Sequence, residues 1–478
     1  NGTEKTFLPK IMLHHQKNDS KSALESIWHL TGESLACLDR VVLSGSEPIF
    51  SSVYKTGVVS QTTIAAAGLA AAEIWKHRTG TDQTIKVDMT HSSVSFRSER
   101  YSTVDGKPSR STTDDIHGFY KCGDAGWIQL HTNYPNHRTG IVKALGCQES
   151  RESVASSLKK LSSEEAENIL TAHNLPAAKM RTREEWCKHQ QGIEISKLPL
   201  LEIDKISDSE PIRFTNEAVR PLDSIKVLEL TKVIAGPVIG RTLAEHGADV
   251  LWVNGPQLHL LEGLVIDMSR GKRPVNIDLD SIAGKNQLAD LASKADVFVQ
   301  GYRPGSISQK GFSPESLAKL NPGIICVELS AFSHKGPWAN RRGFDSLLQT
   351  VSGIGHEGGR ANNIDGMVHL PCQALDHATG YLGAMGAMIA LLRRAREGGS
   401  WRVRVSLAQT AHWLISLGKM AHIKNLDLNR SDVDQFLGYT NSPFGTVSYV
   451  KPAAMLSKTP GAWNIEPSPF GTYKPEWI

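Results

Sequence analysis

Two alanine-rich stretches dominate the hydrophobic pattern of this chain. Val58 to His77 reads as a buried helix that closes on Thr79-Gly80-Thr81 before a β-like run, Thr84 to Met89. Asp376 to Arg396 repeats the design, with a Gly398-Gly399 turn and then Trp401 to Leu407. Subtracting 318 lays the second stretch on the first without a gap. It pairs Ala384 with Ala66, Gly386 with Gly68, Ala390 with Ala72, Arg396 with Arg78, Gly398 with Gly80 and Val405 with Val87. Either the module is duplicated, or two unrelated helices share a composition.

The chain between them has two textures. From Tyr101 to about Glu194, short strands at Gly118-Phe-Tyr and Trp127 to Leu130 flank turn chemistry at Cys122 to Gly126. Charged helices follow, such as Ser163 to Leu170 with its hydroxyl cap and acidic first turn. This predicts a small α+β domain over 98–195. The polar stretch Pro199 to Pro221 predicts a linker over 196–221. Beyond it, apolar runs at Ile225 to Leu230, Asp249 to Val253, Val275 to Leu279, Ala295 to Val299 and Gly323 to Leu329 alternate with helices such as Val238 to Glu245 and Gly284 to Ala295. That rhythm predicts an α/β fold with a doubly wound parallel sheet over 222–420. Residues 1–24 are polar and read as an arm; Ile27 to Leu43 reads as mostly helical.

Composition narrows the function. At 478 residues, with 40% hydrophobic and 21% charged, the chain has an ordinary globular make-up and room for two or three domains. No apolar run approaches the ~18 residues of a membrane span, and Ala65 to Ile74 is short and carries Glu73. Fifty-three basic residues nearly balance 49 acidic ones, and no Lys/Arg block exists to track a nucleic-acid backbone. Six cysteines lie scattered without a C-x-x-C pair, and Cys187 with His189 is only a pair. Neither a disulfide framework nor a metal site is expected, and a reducing, cytoplasmic setting is. Asn1-Gly-Thr-Glu-Lys is no signal peptide, and the missing Met points to a trimmed start.

Four places could carry chemistry. Val227 to Pro237 runs from a strand into a helix N-terminus, where an anion could sit, although such turns also occur as plain structure. It lacks the G-x-G-x-x-G triplet, which disfavours nicotinamide cofactors. Ser269 to Pro274 sets Arg270, Lys272 and Arg273 around a glycine, and Gly301-Tyr302-Arg303-Pro-Gly305 follows a strand end. Both suit a phosphate-bearing ligand, or equally a solvated basic loop. Asp376 opens the second alanine-rich helix as either an N-cap or, with backbone donors nearby, a nucleophile. His377 points about 100° away from it on a helix and reads as packing or polar support. No Ser/His/Asp order, G-x-S-x-G elbow or H-E-x-x-H is present.

Taken in order, Val227-Leu-Glu-Leu-Thr-Lys-Val-Ile-Ala-Gly-Pro237, Leu243 to Val250, Arg270-Gly-Lys-Arg273 before Asn276-Ile-Asp-Leu279, Gly301 to Gly305 and Gly336-Pro-Trp338 resemble the family III CoA transferases of the CaiB/BaiF type. That family includes formyl-CoA transferase, carnitine CoA-transferase and α-methylacyl-CoA racemase. The resemblance implies a Rossmann-like large domain plus a small α+β domain, usually assembled as two interlocked chains. Here it implies a fused order: a degenerate large-domain segment at 25–97, the small domain, the intact large domain, and a C-terminal segment, 421–478, returning to it. It further implies that Asp376 attacks an acyl-CoA to give a mixed anhydride and then an aspartyl-CoA thioester, which a carboxylate resolves. Val233, Ala235, Arg270, Lys272, Arg273, Gly301, Tyr302, Arg303, Ser330 and Ala331 match the family's CoA contacts. The position paired with Asp376 is Val58, so one site per chain is expected, and a homodimer stays open. Ile234 stands where formyl-CoA transferase has Gln, which argues against oxalate or formate. A family Arg aligns with Gln309, with Lys310 beside it as the substitute. The racemases carry His in a Gly-His-Asp segment where this chain has Gly343-Phe-Asp345, and His356 and His369 are the nearby alternatives. The expected function is therefore acyl-CoA:carboxylate CoA transfer, the alternatives being a racemase or a non-catalytic CoA-binding protein.

Overall fold

The computed structural model describes residues 19–109, 114–215, 217–420 and 426–478. The arm read over 1–24 falls largely outside them, but from Asp19 the chain is already helix (Asp19–His29), with Ala23, Leu24, Ile27 and Trp28 buried. Within the stretch read as mostly helical, Val41–Ser44 is a strand, too short for its period to stand out in sequence. The long helix Thr56–Thr79 follows. By length and composition it is apolar enough to cross a membrane, against the sequence expectation, yet 94% of its most apolar 18 residues are buried within the fold. Its apolar faces are consumed by packing on its own three-stranded sheet and on the second long helix, Ala374–Glu397.

The duplication is visible in three dimensions. The two long helices each run 24 residues and begin and end 318 positions apart. The residues before them share one backbone conformation, Lys55 at φ −76°, ψ 67° and Gln373 at φ −77°, ψ 61°. Strand Ile85–Asp88 lies between Val41–Ser44, parallel, and Ala454–Leu456, antiparallel. Strand Ser400–Ser406 lies likewise between Ile325–Ser330, parallel, and Glu202–Ser207, antiparallel. Each then enters a helix through a side-chain cap, Asp88 accepting from the His91 N–H and Ser406 from the Gln409 N–H.

The C-terminal copy keeps a whole sheet of seven strands. In spatial order they are Lys272–Asn276, Asp249–Asn254, Lys226–Leu230, Val297–Gln300, Ile325–Ser330, Ser400–Ser406 and Glu202–Ser207, all parallel but the last. Glu202–Ser207 lies in the segment read as a linker; as an edge strand with a solvated side, it can be polar and still pair. The small domain packs Gly118–Lys121, Trp127–Leu130 and Ala177–Lys179 against helices Pro135–Leu145, Arg151–Leu158 and Ser163–Ala172. The C-terminal segment adds Leu437–Ser442 and Gly445–Val450 to the short strand Thr103–Val104. Its tail then runs beside the outer edge of the large sheet, where Gly271 N–H donates to the Ile465 carbonyl at 2.8 Å.

Candidate active site

Asp376 sits three residues inside its helix, not at the cap; Gln373 holds the cap position and makes no side-chain capping bond. The capping carboxylate comes from elsewhere. Asp345 Oδ2 accepts the Asp376 N–H at 2.9 Å, and the Leu375 backbone also hydrogen-bonds Asp345. Gln349 Nε2 steadies Oδ1 at 2.5 Å. The Asp376 side chain is thereby free of the plain role that helix-opening aspartates usually play. In the N-terminal copy Glu47 caps the equivalent positions, Oε1 accepting from Gly57 N–H at 2.6 Å and Val58 N–H at 3.1 Å. That copy has kept a capping carboxylate, but Val58 stands where the C-terminal copy has Asp376. Val58 is 2% exposed, packed with Ala23 and Met89.

Asp376 itself is 8% exposed. Burial pushes its carboxyl well above the ordinary aspartate range, and the charges of Asp345 and then Glu99 push it further. Burial likewise raises Asp345. Glu99 would rise by burial too, but a hydrogen bond and the charge of His377 outweigh that and hold it low. His377 Nε2 lies 3.2 Å from Glu99 Oε2, with its ring stacked on Phe96 at 5.3 Å between centroids. His377 is thus polar support behind the helix. At the helix N-terminus, the dipole works in the other direction and favours an anion at Asp376.

A second constellation lies along the carboxyl ends of the parallel strands. Val233 and Ala235 follow Lys226–Leu230, and Val233 holds φ at 71°, a conformation costly for a β-branched residue. Gly301, Tyr302 and Arg303 follow Val297–Gln300, with Gly301 N–H donating to the Leu230 carbonyl at 3.1 Å. Ser330 ends its strand, and the Ala331 carbonyl accepts the Ala408 N–H at 3.0 Å. Tyr134 of the small domain closes a cleft over Lys232, Val233, Asn254 and His259.

Arg270, Lys272 and Arg273 are elsewhere. The strand read as Val275 to Leu279 starts at Lys272, because partners inside the fold absorb the charges. Lys272 is fully buried, its Nζ 2.8 Å from Glu229 Oε2 and 2.7 Å from the Pro237 carbonyl. Burial pushes this lysine down to about 8 and Glu229 up, both toward the neutral pair. Arg273 grips both Asp249 oxygens and donates to the Glu476 carbonyl. Arg270 lies 3.6 Å over the Tyr449 ring and 3.5 Å from Glu466. In this arrangement the three fasten the sheet edge and the tail, and present no cation to a phosphate. Lys310 is likewise engaged, 2.6 Å from Asp280.

Lys232 lines this cleft, while Arg303 and Arg342 lie together near His137 of the small domain; of the three, only Arg303 was singled out by sequence. Arg342 Nη1 lies 3.1 Å from His137 Nε2, and burial, then Arg342 and Arg303, push that imidazole down to about 4. Among the described residues neither Arg303 nor Arg342 is ion-paired. Lys232 is driven down to about 8 by burial. Arg303 and Arg342, both acting on His137 and on each other, form a cationic patch suited to an anion. The available signal was adjacency: Lys232 stands in the same turn as Val233, and Arg342 three residues before Asp345.

The family model for CoA-transferase family III matches residues 40–219 and 222–444. An acyl-CoA transferase of Gibberella moniliformis is 26% identical, covering 83% of this chain and 78% of its own length. A probable fatty acyl-CoA transferase of Mycobacterium tuberculosis is 30% identical, over 46% of this chain and 58% of its own. The human succinyl-CoA:glutarate CoA-transferase is 31% identical, over 38% of this chain and 43% of its own. The chain thus spans about half the length of the latter two. A crystal structure of the mycobacterial protein, Rv3272, overlays 44% of this chain and 57% of its own at 30% identity and a TM-score of 0.38. Matched across two successive segments that together take in most of its length, this chain belongs to CoA-transferase family III.

Proposed function

We propose that this CoA-transferase moves CoA from an acyl-CoA to an acceptor carboxylate through covalent intermediates on Asp376. The observation that carries this reading is a buried carboxylate of raised proton affinity whose capping duty another residue has taken. A more basic carboxylate is a better nucleophile once ionised, and a sheltered one keeps water from its anhydride. Asp376 attacks the thioester carbonyl, the C–S bond breaks, and CoA leaves as thiolate. The thiolate attacks the aspartyl carbonyl of the anhydride and expels the donor carboxylate. The acceptor carboxylate attacks the resulting thioester, releasing the thiolate again, and the thiolate takes the acceptor acyl group and frees Asp376. Val233, Ala235, Gly301, Tyr302, Ser330 and Ala331 would line the CoA, with Lys232, Arg303 and Arg342 at its phosphates.

Racemisation instead needs a second acid–base group across the α-carbon. Phe344, which stands where racemases carry His, lies flat on His131 with centroids 3.8 Å apart, and cannot move a proton. The test is trapping: after an acyl-CoA panel, hydroxylamine should modify Asp376, and a 2-methylacyl-CoA in deuterium oxide should gain no enzyme-dependent deuterium. Labelling at another residue, or exchange that Asp376→Asn abolishes, would overturn the transferase reading.

A further inference from the structure

The carboxylate behind Asp376 comes from the other copy. Glu99 lies in the short helix Ser98–Tyr101, directly after the N-terminal module, and is wholly buried. Its segment is pinned to the C-terminal copy on several sides. Phe96 stacks on both His377 and Tyr381 of the long helix. Arg97 Nε donates to the Pro371 carbonyl at 2.8 Å, in the approach to that helix. Ser98 donates to Asp267 Oδ2 at 2.6 Å, and Asp267 is itself ion-paired to Arg241 at 3.0 Å. A carboxylate fixed this firmly cannot swing away when a substrate arrives.

Burying Glu99 has a cost that partners must offset, and His377, at 3.2 Å, is one of them. Yet the charge of Glu99 acts on the buried Asp376 carboxyl and that of His377 on the buried Asp345, where an apolar pair would serve packing better. We propose that Glu99 is a positioning residue: supplied by the degenerate copy, it holds the His377 ring and keeps a negative charge behind Asp376, so that one half of the chain tunes the nucleophile of the other. The groups facing Asp376 are Asp345 from helix Asp345–Val351 and Glu99 from Ser98–Tyr101, with His377 beside it on its own helix. Glu99 in turn faces His377 and Arg100, whose Nε is 3.7 Å away. Between these carboxyls and Arg97 lies the buried Cys372 thiol, which burial pushes to about 12. With this negative charge behind it, Asp376 ionises late and attacks as a more basic oxygen.

The inference rests on the proposed covalent role of Asp376, and its test separates the two. Glu99→Gln removes the charge and keeps the shape. The acid limb of kcat/KM for the donor acyl-CoA should move to lower pH by about one unit, while Glu99→Asp, which withdraws the carboxylate by one methylene, should give a smaller displacement. A merely structural Glu99 would lower the melting temperature and leave the limb in place, and that result overturns the proposal. A second readout needs no turnover. The pH dependence of thermal unfolding that disappears in Asp376→Asn should shift downward in Glu99→Gln. If no acyl-CoA is turned over but this unfolding shift appears, the transferase reading fails and the coupling of Glu99 to Asp376 stands. If Glu99→Gln does not fold, Glu99→Asp carries both measurements, and an unmoved limb with an unmoved unfolding titration overturns the inference.

Discussion

Asp376 is held where burial, Asp345 and Glu99 all oppose its charged form. A carboxyl raised on folding contributes stability while it is protonated, and that contribution is lost as pH rises through the folded value. Asp376→Asn should therefore abolish transfer and yet melt at a higher temperature than the parent at pH 8, with the gap closing as pH falls toward 4. A variant that melts lower at every pH would show that the side chain stabilises the helix after all. The same titration governs rate, so kcat/KM for the donor should climb with pH until Asp376 is ionised. Arg303 and Arg342 lie near His137 without an acidic partner among the described residues, whereas Lys272 is locked to Glu229 in the core. Replacing both arginines with alanine should raise KM for CoA esters several-fold and flatten its salt dependence with little change in kcat, as uniform binding of phosphate does. An unchanged KM and salt dependence would count those arginines as surface.

At the scale of elements, the two long helices pose a controlled comparison. Each has its first N–H groups capped by a carboxylate from a preceding segment, Glu47 in one copy and Asp345 in the other. Glu47→Ala and Asp345→Ala should each cost about 1 kcal/mol of stability, read as a denaturant midpoint. Only Asp345→Ala should also shift the pH profile of transfer, because only that helix carries the proposed nucleophile beside its cap. Equal effects on transfer would mean that the caps act through general stability. These helices were legible in the sequence because a long alanine-rich stretch is not mistaken for a strand, and their Gly turns mark the ends. The alternation of apolar runs beyond Pro221 likewise gave away the parallel sheet. Val41–Ser44 and Glu202–Ser207 were not legible: one is four residues long, and the other is a polar edge strand. The start of Lys272–Asn276 was hidden because hydropathy counts Lys272 and Arg273 as solvent-seeking, while Glu229 and Asp249 neutralise them inside. Asp376 could be singled out by its place at the start of the helix. Its neighbours Asp345 and Glu99 could not, since Glu99 reaches His377 across 278 positions.

For the whole molecule, the fused order has a counting consequence. The large domain of the C-terminal copy meets a small domain that precedes it in the chain, and Tyr134 of that small domain closes the cleft at the strand ends. Glu99 arrives from the same N-terminal half. One chain therefore brings to one site the parts that interlocked chains would share between two. In the N-terminal copy Val58 stands at the position of the proposed nucleophile, and Ala23, Met89, Trp413 and Leu417 pack around it. Active-site titration with a donor acyl-CoA should accordingly give one hydroxylamine-sensitive acyl equivalent per chain, whatever the oligomeric state. Val58→Asp should not add another, because a carboxylate placed in that apolar cluster would stay protonated at the expense of stability. The specific activity should also hold constant on dilution through any dissociation that light scattering detects. Half an equivalent per chain, or activity that falls as an oligomer dissociates, would show that a second chain completes the site and that the fusion has not replaced the partner.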